Sequence, residues 1–491
     1  MSEASPVIPA KAGIQEKELP QGWERLAIED IADVNPRVDK SKISDDLKVS
    51  FVPMPAVEAE SGAIDVSEER PFAEIKKGFT PFIEGDVLFA KITPCMENGK
   101  MAVVPKVKNG YGFGSTEFHV LRPKDGIESK WIYYFVSSRT FRGIAQHHMC
   151  GAVGQKRVPT NYLKQHLIPV APPEQQKRIV AKIEELFSHI DAGIEALKKA
   201  KQLLKQYRQS VLKAAVTGEL TKEWREANKD KLESASQLLE RILKERRQKW
   251  EEQQLEQFKA KGKMPKDYKW KGQYNEPAQD IEKFFDEPEG WAWTEIGTIT
   301  DMLSGHAFKK AEYTKSGVRL FQIANVSFGY TKWDEIEHLP ESYLEEWKNL
   351  KLEDGDVLMA LNRPLLSKQL KIARLGKNDV PSILYQRVGK FQFYSDIVSD
   401  YFLLYMQSPY YINRLEEQLQ GVNIPFINKG KLLGTPISIT SCEEELELIT
   451  DEANKRLDGI SRLETEIEEQ LIKAEKNKQS VLSSAFSGAL N

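Results

Sequence analysis

The sequence predicts an α+β protein in which two globular mixed α/β domains are separated by two long antiparallel coiled-coil helices, with pseudo-two-fold symmetry. Three observations predict it. The chain repeats itself at an offset of 270 residues, as in "QSVLKAAVTGEL" (Gln209 to Leu220) and "QSVLSSAFSGAL" (Gln479 to Leu490). Each copy opens with a mixed segment of some 150 residues, rich in Gly, Pro and aromatics. Each copy then continues into a long stretch with apolar residues at coiled-coil spacing.

The repeat is dense along both copies. "PQGWERLAIEDIADV" from Pro20 matches "PEGWAWTEIGTITDM" from Pro288. "IEGDVLFAKITPCMENGK" from Ile83 matches "EDGDVLMALNRPLLSKQ" from Glu353, so Gly85 stands opposite Gly355. Ser138 stands opposite Ser408, and Gly151 opposite Gly421. A period this long is a duplicated domain, not a solenoid repeat. The reading divides the chain into a flexible tail (1–19), a first globular domain (20–171), a spacer helix (172–220), a helical insertion and linker (221–287), a second globular domain (288–440) and a second spacer helix (441–491).

Within each globular domain, "DVLFAKI" and "DVLMAL" read as strands entered through a Gly-Asp turn. "KWIYYFVSSRTFRGIAQ" and "SDYFLLYMQSPYYINRLEEQ" carry apolar residues at helical spacing. The first spacer helix starts at Pro172 and Pro173, where proline is favoured, followed by Glu174. Its seam is Ile179, Ile183, Leu186, Ile190, Leu197, Leu204 and Val211. The second seam is Ile449, Ala453, Ile460, Ile467, Leu471, Ala474, Val481 and Ala485. Gly218 and Gly488 fall where a C-terminal capping glycine belongs. Each helix of about 45 residues extends about 65–70 Å.

Charge favours pairing the two helices with each other. Residues 174–220 carry nine basic and six acidic side chains; residues 443–490 carry six basic and twelve acidic. Opposite charge beside an apolar seam prefers the hetero-pair over self-pairing. The alternative is two surface helices, each docked on its own globular domain. The insertion reads as a helix from Glu233 to Lys263, capped by Ser234 or Ser236, with Leu238, Leu239, Ile242 and Trp250 on one face; its docking partner is left open.

Composition limits the function classes. An apolar content of 40% with 29% charged residues and a mean hydropathy of −0.49 describes a water-soluble chain. No run of 18 apolar residues exists, so no membrane partner is expected. The start lacks a signal-peptide core. Cys95, Cys150 and Cys442 show no spacing pattern and fit a reducing, cytoplasmic location. A net charge of −3 argues mildly against nucleic-acid binding, but a basic surface can coexist with acidic helices elsewhere.

Here the residues match a family. "PVAPPEQQKRIVAKIEELFSHIDAGIEALKKAKQLLKQYRQSVLKAAVTGELTKEWR" resembles the central conserved region of the specificity subunit of type I restriction-modification systems. "LPQGWERLAIEDIADV" resembles that family's domain opening. "GDVLFAKITPCMENGK" and "GAVGQKRVPTNYLKQHLIPV" resemble its target-recognition domains. The likeness is strong over residues 20–230 and looser over 288–491, where "GVNIPFINKGKL" replaces "GAVGQKRVPTNYL" and "SITSCEEE" lacks the proline pair. The resemblance implies a non-catalytic reader of double-stranded DNA, each recognition domain taking one half of a bipartite site. It implies two modification (methyltransferase) subunits and two restriction (translocase-nuclease) subunits as partners. S-adenosylmethionine, ATP and Mg are expected on those partners, with no cofactor or metal in this chain.

Candidate DNA contacts are polar residues on loops. In the first copy these are Lys91, Thr93, Asn98 and Lys100 after the "DVLFA" strand, and Gln155, Lys156, Arg157 and Asn161 in the Gly-flanked loop. In the second they are Asn362, Arg363, Lys368, Asn423, Asn428 and Lys429. Arg and Lys suit phosphates or guanine edges; Asn and Gln suit adenine. Two other classes stay in view: a coiled-coil scaffold whose domains bind proteins, and a stand-alone DNA-modifying enzyme. Against the enzyme, there is no GxxxxGK[ST] loop and no methyltransferase Asn-Pro-Pro-aromatic or Asp-Pro-Pro-aromatic tetrapeptide. Asp65, Glu74 and Lys76 only faintly resemble a nuclease pattern, and His147 to Cys150 has no second ligand cluster.

If the helix pair is a ruler, inserting four residues in both helices adds about 6 Å. The spacer between half-sites then widens by about one or two base pairs, at about 3.4 Å each. Sequencing of methylated sites reads this directly; an unchanged spacer with intact binding refutes the ruler.

Overall fold

The computed structural model describes residues 19–152, 154–260, 262–265, 267–274, 281–394, 398–440 and 442–490. The predicted tail, except Leu19, and residues 275–280 of the linker lie outside the described residues. The chain forms two compact units. Unit 1 is built from residues up to 199 together with 467–491, and unit 2 from residues 200–466.

Unit 1 holds two four-stranded sheets. In the first, Val87–Ala90 runs antiparallel between Phe118–Pro123 and Met101–Val103, with Ala32–Val34 on the far edge. In the second, Lys48–Val52 pairs parallel with Gly112–Gly114 and antiparallel with Glu69–Pro71, and Thr80–Phe82 closes the other edge. Unit 2 repeats both sheets strand for strand. Val357–Ala360 and Val388–Phe393 take the centre of one, and Val318–Phe321 and Ser382–Leu384 the centre of the other. The central strands are buried on both faces, which is why they read as continuous apolar runs without alternation.

The Gly-Asp turns behave alike. Gly85 and Gly355 take positive φ (85° and 89°), and the Asp86 and Asp356 carboxylates accept from the Ile83 and Glu353 amides at 2.8 Å. Asp86 is almost fully buried and grips Arg122 through two bonds of 2.8 Å; Asp356 is held by Lys390 at 2.6 Å. The helical stretch in each copy is two helices, not one. It breaks at Ser138 and at Ser408, whose hydroxyls accept from Phe141 and Tyr411 amides and cap the second helix. A short antiparallel pair then ties each domain's opening to its close: Glu24–Ala27 on Leu167–Val170, and Trp291–Glu295 on Pro436–Thr440.

The long helices are Pro173–Val216 and Glu443–Phe486. Both cross from one unit to the other, and within each unit they pair antiparallel. In unit 1 Lys478 binds Asp191 and lies over the Phe187 ring. In unit 2 Arg208 donates to Glu464 at 2.9 Å and to Ser461 at 3.0 Å. Basic first helix meets acidic second helix at Arg208, yet the Lys478–Asp191 pair has the signs reversed. The seam is wider than the expected one: Phe187 and Ile194 lie between the heptad positions read from the sequence.

Each helix ends in the domain that opens the other copy. Gly218 and Gly488 adopt the left-handed conformation (φ 70° and 76°) and stop the helices. A Cβ on Gly218 would stand 2.7 Å from an Arg225 guanidinium nitrogen and 3.1 Å from the Trp291 ring; one on Gly488 would stand 2.0 Å from Pro20. Ahead of the glycines, Val211, Leu212, Ala215 and Val216 enter the core around Trp291 and Tyr401. Leu482 and Ala485 enter the core around Trp23 and Trp131, and Phe486 meets Trp131 edge-on at 4.9 Å. In unit 2 the docked Trp291 donates to Glu445, a fully buried carboxylate that also receives Arg225 at 2.6 Å, Thr221 at 2.8 Å and Thr440 at 2.7 Å. In unit 1 neutral Gln175 occupies the matching place and accepts from Trp23 at 2.9 Å.

The insertion helix, Ala235–Ala260, docks on unit 2 itself. Ser234 caps it, and Leu238, Leu239 and Ile242 pack into the unit 2 core. Arg246 donates to the Gly297 carbonyl at 3.0 Å, and Trp250 stacks with Trp270 and meets Tyr274 edge-on.

The two glycine environments give opposite expectations for one substitution. Gly488→Ala places a side chain in a left-handed residue against Pro20 and lowers stability by at least about 1–2 kcal/mol. Gly193→Ala, on the first long helix with nothing within 4 Å of the new Cβ, raises stability by about 0.5–1 kcal/mol. Denaturant midpoints of the full chain measure both; equal shifts would contradict the docking.

Candidate nucleic-acid interface

The two loops singled out in the first copy come together. Residues 91–100 leave the central strand Val87–Ala90, and the Gly-flanked loop returns beside them. Val158 donates its amide to the Lys91 carbonyl at 2.9 Å, and Thr93 donates to the Lys156 carbonyl at 2.9 Å. The second loop closes on itself where Cys150 and Arg157 exchange amide bonds at 3.0 and 2.8 Å. The first loop is clamped from behind by the buried Arg142, which donates to the Glu97 carbonyl at 2.5 Å and to Glu60 at 2.7 Å.

Unit 2 builds the same ladder. Ile427 donates to the Leu361 carbonyl at 3.0 Å and Arg363 to the Pro425 carbonyl at 2.6 Å. Gln420 and Phe426 exchange amide bonds at 2.9 and 2.8 Å. The ladder fixes a correspondence that the 270-residue offset does not give, because the second loop is one residue shorter. Ile424, Pro425 and Phe426 stand where unit 1 has Gln155, Lys156 and Arg157. At the tip, Val422 is 99% exposed and Ile424 half exposed.

The candidate side chains divide by environment. Asn98, Gln155, Lys156 and Asn161 are exposed. Lys91, Thr93, Lys100 and Arg157 are half-buried. Lys100 spends its ammonium on the Met54 and Val57 carbonyls, at 3.2 and 2.9 Å, and braces the loop. Thr93 leans on Glu97 at 3.4 Å. Arg157 is gripped by Glu117 through Nε (2.9 Å) and one terminal nitrogen (2.8 Å), and its other terminal nitrogen donates to the Gln155 carbonyl at 3.1 Å.

In unit 2, Arg363, Lys368, Asn423, Asn428 and Lys429 are exposed and Asn362 is half-buried. Asn362 accepts from Arg387 at 3.0 Å. Lys368 sits at the turn of a small hairpin (Leu365–Leu366 with Gln369–Leu370) with φ 61°, 3.9 Å from Glu416. Asn428 caps the helix Lys429–Leu433 by accepting from the Lys431 amide, and Lys429 pairs with Asp301 at 2.6 Å.

Electrostatics at the unit 1 loops follow from these contacts. Hydrogen bonds from Arg157 hold the Glu117 carboxyl below its usual range. Partial burial lowers the Lys91 ammonium, and the nearby Arg157 charge adds to that while Glu117 opposes it. His119 lies buried beneath, bonded to Asn35 and to the Val158 carbonyl, and burial pushes it down to about 4. It is therefore neutral near pH 7 and acts as a fixed prop for the base of the loop. Glu117, Arg142 and Arg387 carry no sequence signal of their own; only the fold brings them to the loops.

Among the described residues no group of three or more His, Cys, Asp or Glu side chains is placed to hold a metal ion. Lys76, from the faint nuclease pattern, is paired with Asp45 at 2.9 Å. No helix among the described residues is long and apolar enough to cross a membrane.

Comparison with known proteins places this architecture. The profile of the type I restriction modification DNA specificity domain matches twice, over residues 20–204 and 288–475. The type I restriction enzyme EcoAI specificity subunit of Escherichia coli is 32% identical over 471 residues, covering 88% of this chain and 77% of that one. A chain solved in work on complex assembly and conformational transition of the type I R-M system aligns over 96% of this chain and 98% of its own, with a TM-score of 0.68 at 18% identity. The HsdS subunit from Thermoanaerobacter tengcongensis aligns over 96% and 99%, with a TM-score of 0.55 at 17% identity. With the specificity domain present twice, on the same two-sheet scaffold each time, the chain belongs to the family of type I restriction-modification specificity subunits.

Proposed function

We propose that this chain is the sequence-reading subunit of a type I restriction-modification complex, in which each unit reads one half of a bipartite site in double-stranded DNA. The observation that carries the reading is the paired loop built twice on one backbone ladder with different side chains. One scaffold then presents two different chemistries to two half-sites. The loops are also basic in a chain whose net charge is −3. Residues 91–100 and 150–157 carry four basic side chains against Glu97 alone; residues 361–371 and 420–429 carry four and no acid. Such local charge supplies the phosphate affinity that the overall balance lacks.

Exposed Asn98, Gln155, Lys156, Asn161, Arg363, Lys368 and Asn423, with the partly exposed Arg157, are the candidates for direct contact. Lys100, Asn428 and Lys429 already have protein partners, and their part is to hold the loops in shape. The chain acts without chemistry of its own. Two modification subunits carrying S-adenosylmethionine and two restriction subunits using ATP and Mg perform methylation and cleavage where it binds.

Two experiments test this. Replacing residues 20–171 with those of a relative should change one half of the recognised site and leave the other, as read from methylated positions in the host; a change in both halves ends the modular reading. The purified chain alone should neither methylate nor cut DNA, and activity without partners would sink the subunit assignment.

A further inference from the structure

The Arg157 guanidinium has five N–H donors. Three are committed: Nε and one terminal nitrogen to Glu117, and the other terminal nitrogen to the Gln155 carbonyl. Glu117 takes the side of the fork. Two donors, one on each terminal nitrogen, have no partner among the described residues. The Arg157 side chain is 43% exposed, and Glu117 behind it only 25%. Its backbone is fixed by the amide exchange with Cys150. A guanidinium held side-on by a carboxylate keeps its end free, and two parallel donors at that end match the O6 and N7 acceptors of guanine in the major groove.

Resting on the DNA-reading assignment above, we propose that Arg157 reads a guanine in the half-site of unit 1, and that Glu117 is the positioning residue that aims it. Glu117 is aligned by the same charge-assisted pair that it provides, so the fork is ordered before DNA arrives, and little rotamer entropy remains to be lost on contact. Unit 2 lacks the device. Phe426 takes the Arg157 position on the ladder, so a guanine read from this position belongs to the half-site of unit 1.

The test is selection of bound duplexes from a pool with randomised positions, using the full chain alone and the complex purified from its host. Wild type should enrich a two-part sequence with a G·C pair in the half that the 20–171 exchange assigns to unit 1. Arg157→Ala should lower the preference for guanine at that one pair by about 5- to 150-fold and leave the other positions as they were. Arg157→Lys, which keeps the charge but loses the rigid fork, should weaken that preference less than Arg157→Ala does and leave the salt dependence unchanged. Glu117→Gln should weaken the same pair without changing the salt dependence. Three results would overturn the proposal. They are unchanged base preferences in Arg157→Ala; a uniform loss over all duplexes with a salt slope reduced by about one, which marks a phosphate contact; and loss of the whole half-site in both Arg157 variants. If wild type enriches no sequence, the DNA-reading assignment itself fails first.

Discussion

The structure depends on how each long helix ends. A helix of 44 residues leaves one domain, and its last two turns complete the core of the domain that opens the other copy. A left-handed glycine then stops it against a proline that begins that domain. Trp23 and Trp291, three residues after those prolines, lie in the cores that the helix ends fill. Unit 1 is therefore not made from one continuous stretch of sequence, since it needs residues 467–491, and unit 2 takes in the end of the first long helix, beginning at residue 200. The recurrence of "QSVL" with a glycine nine residues after the glutamine is the visible trace of a packing requirement met twice.

The two dockings are alike in shape and differ in charge. Around Trp291 a fully buried carboxylate, Glu445, is satisfied by Arg225, two hydroxyls and the indole. Around Trp23 a neutral amide does the same task. A buried ion pair adds little net stability, but breaking one side of it costs about 3–5 kcal/mol, because a lone charge stays in the core. The short helix Lys222–Ala227 supplies Arg225 to unit 2, where it meets the charge of Glu445. The second copy's departure from the proline pair of the first falls in this same region, next to a different solution of the same contact.

The candidate interface follows a similar logic of common frame and private detail. Backbone bonds define it, so the loops hold their course whatever side chains they carry. Arg157 and Phe426 occupy one ladder position with opposite chemistry. The polar candidates read from sequence do lie on these loops, but their environments separate them. Lys100 is spent on carbonyls, Asn428 is a helix cap, and Lys156 is open to solvent. A lysine in a sequence carries no mark of which of these it is.

Much was legible from the chain alone, and for local reasons. Strands after Gly-Asp turns, capping serines and terminal glycines are set by backbone preferences of a few neighbouring residues. The seams follow from a periodicity that a helix imposes regardless of its partner. The sequence also determined that the protein is a duplication, since two copies in the same order at nearly the same offset need no structure to be seen. Tertiary structure alone decided the rest. It made the insertion helix part of unit 2, set the shorter loop in register so that Phe426 meets Arg157's place, and brought Glu117 to Arg157 across 40 residues of sequence. These are contacts between segments far apart in the chain. Their pairing depends on the summed packing of a whole core, and no local preference encodes it.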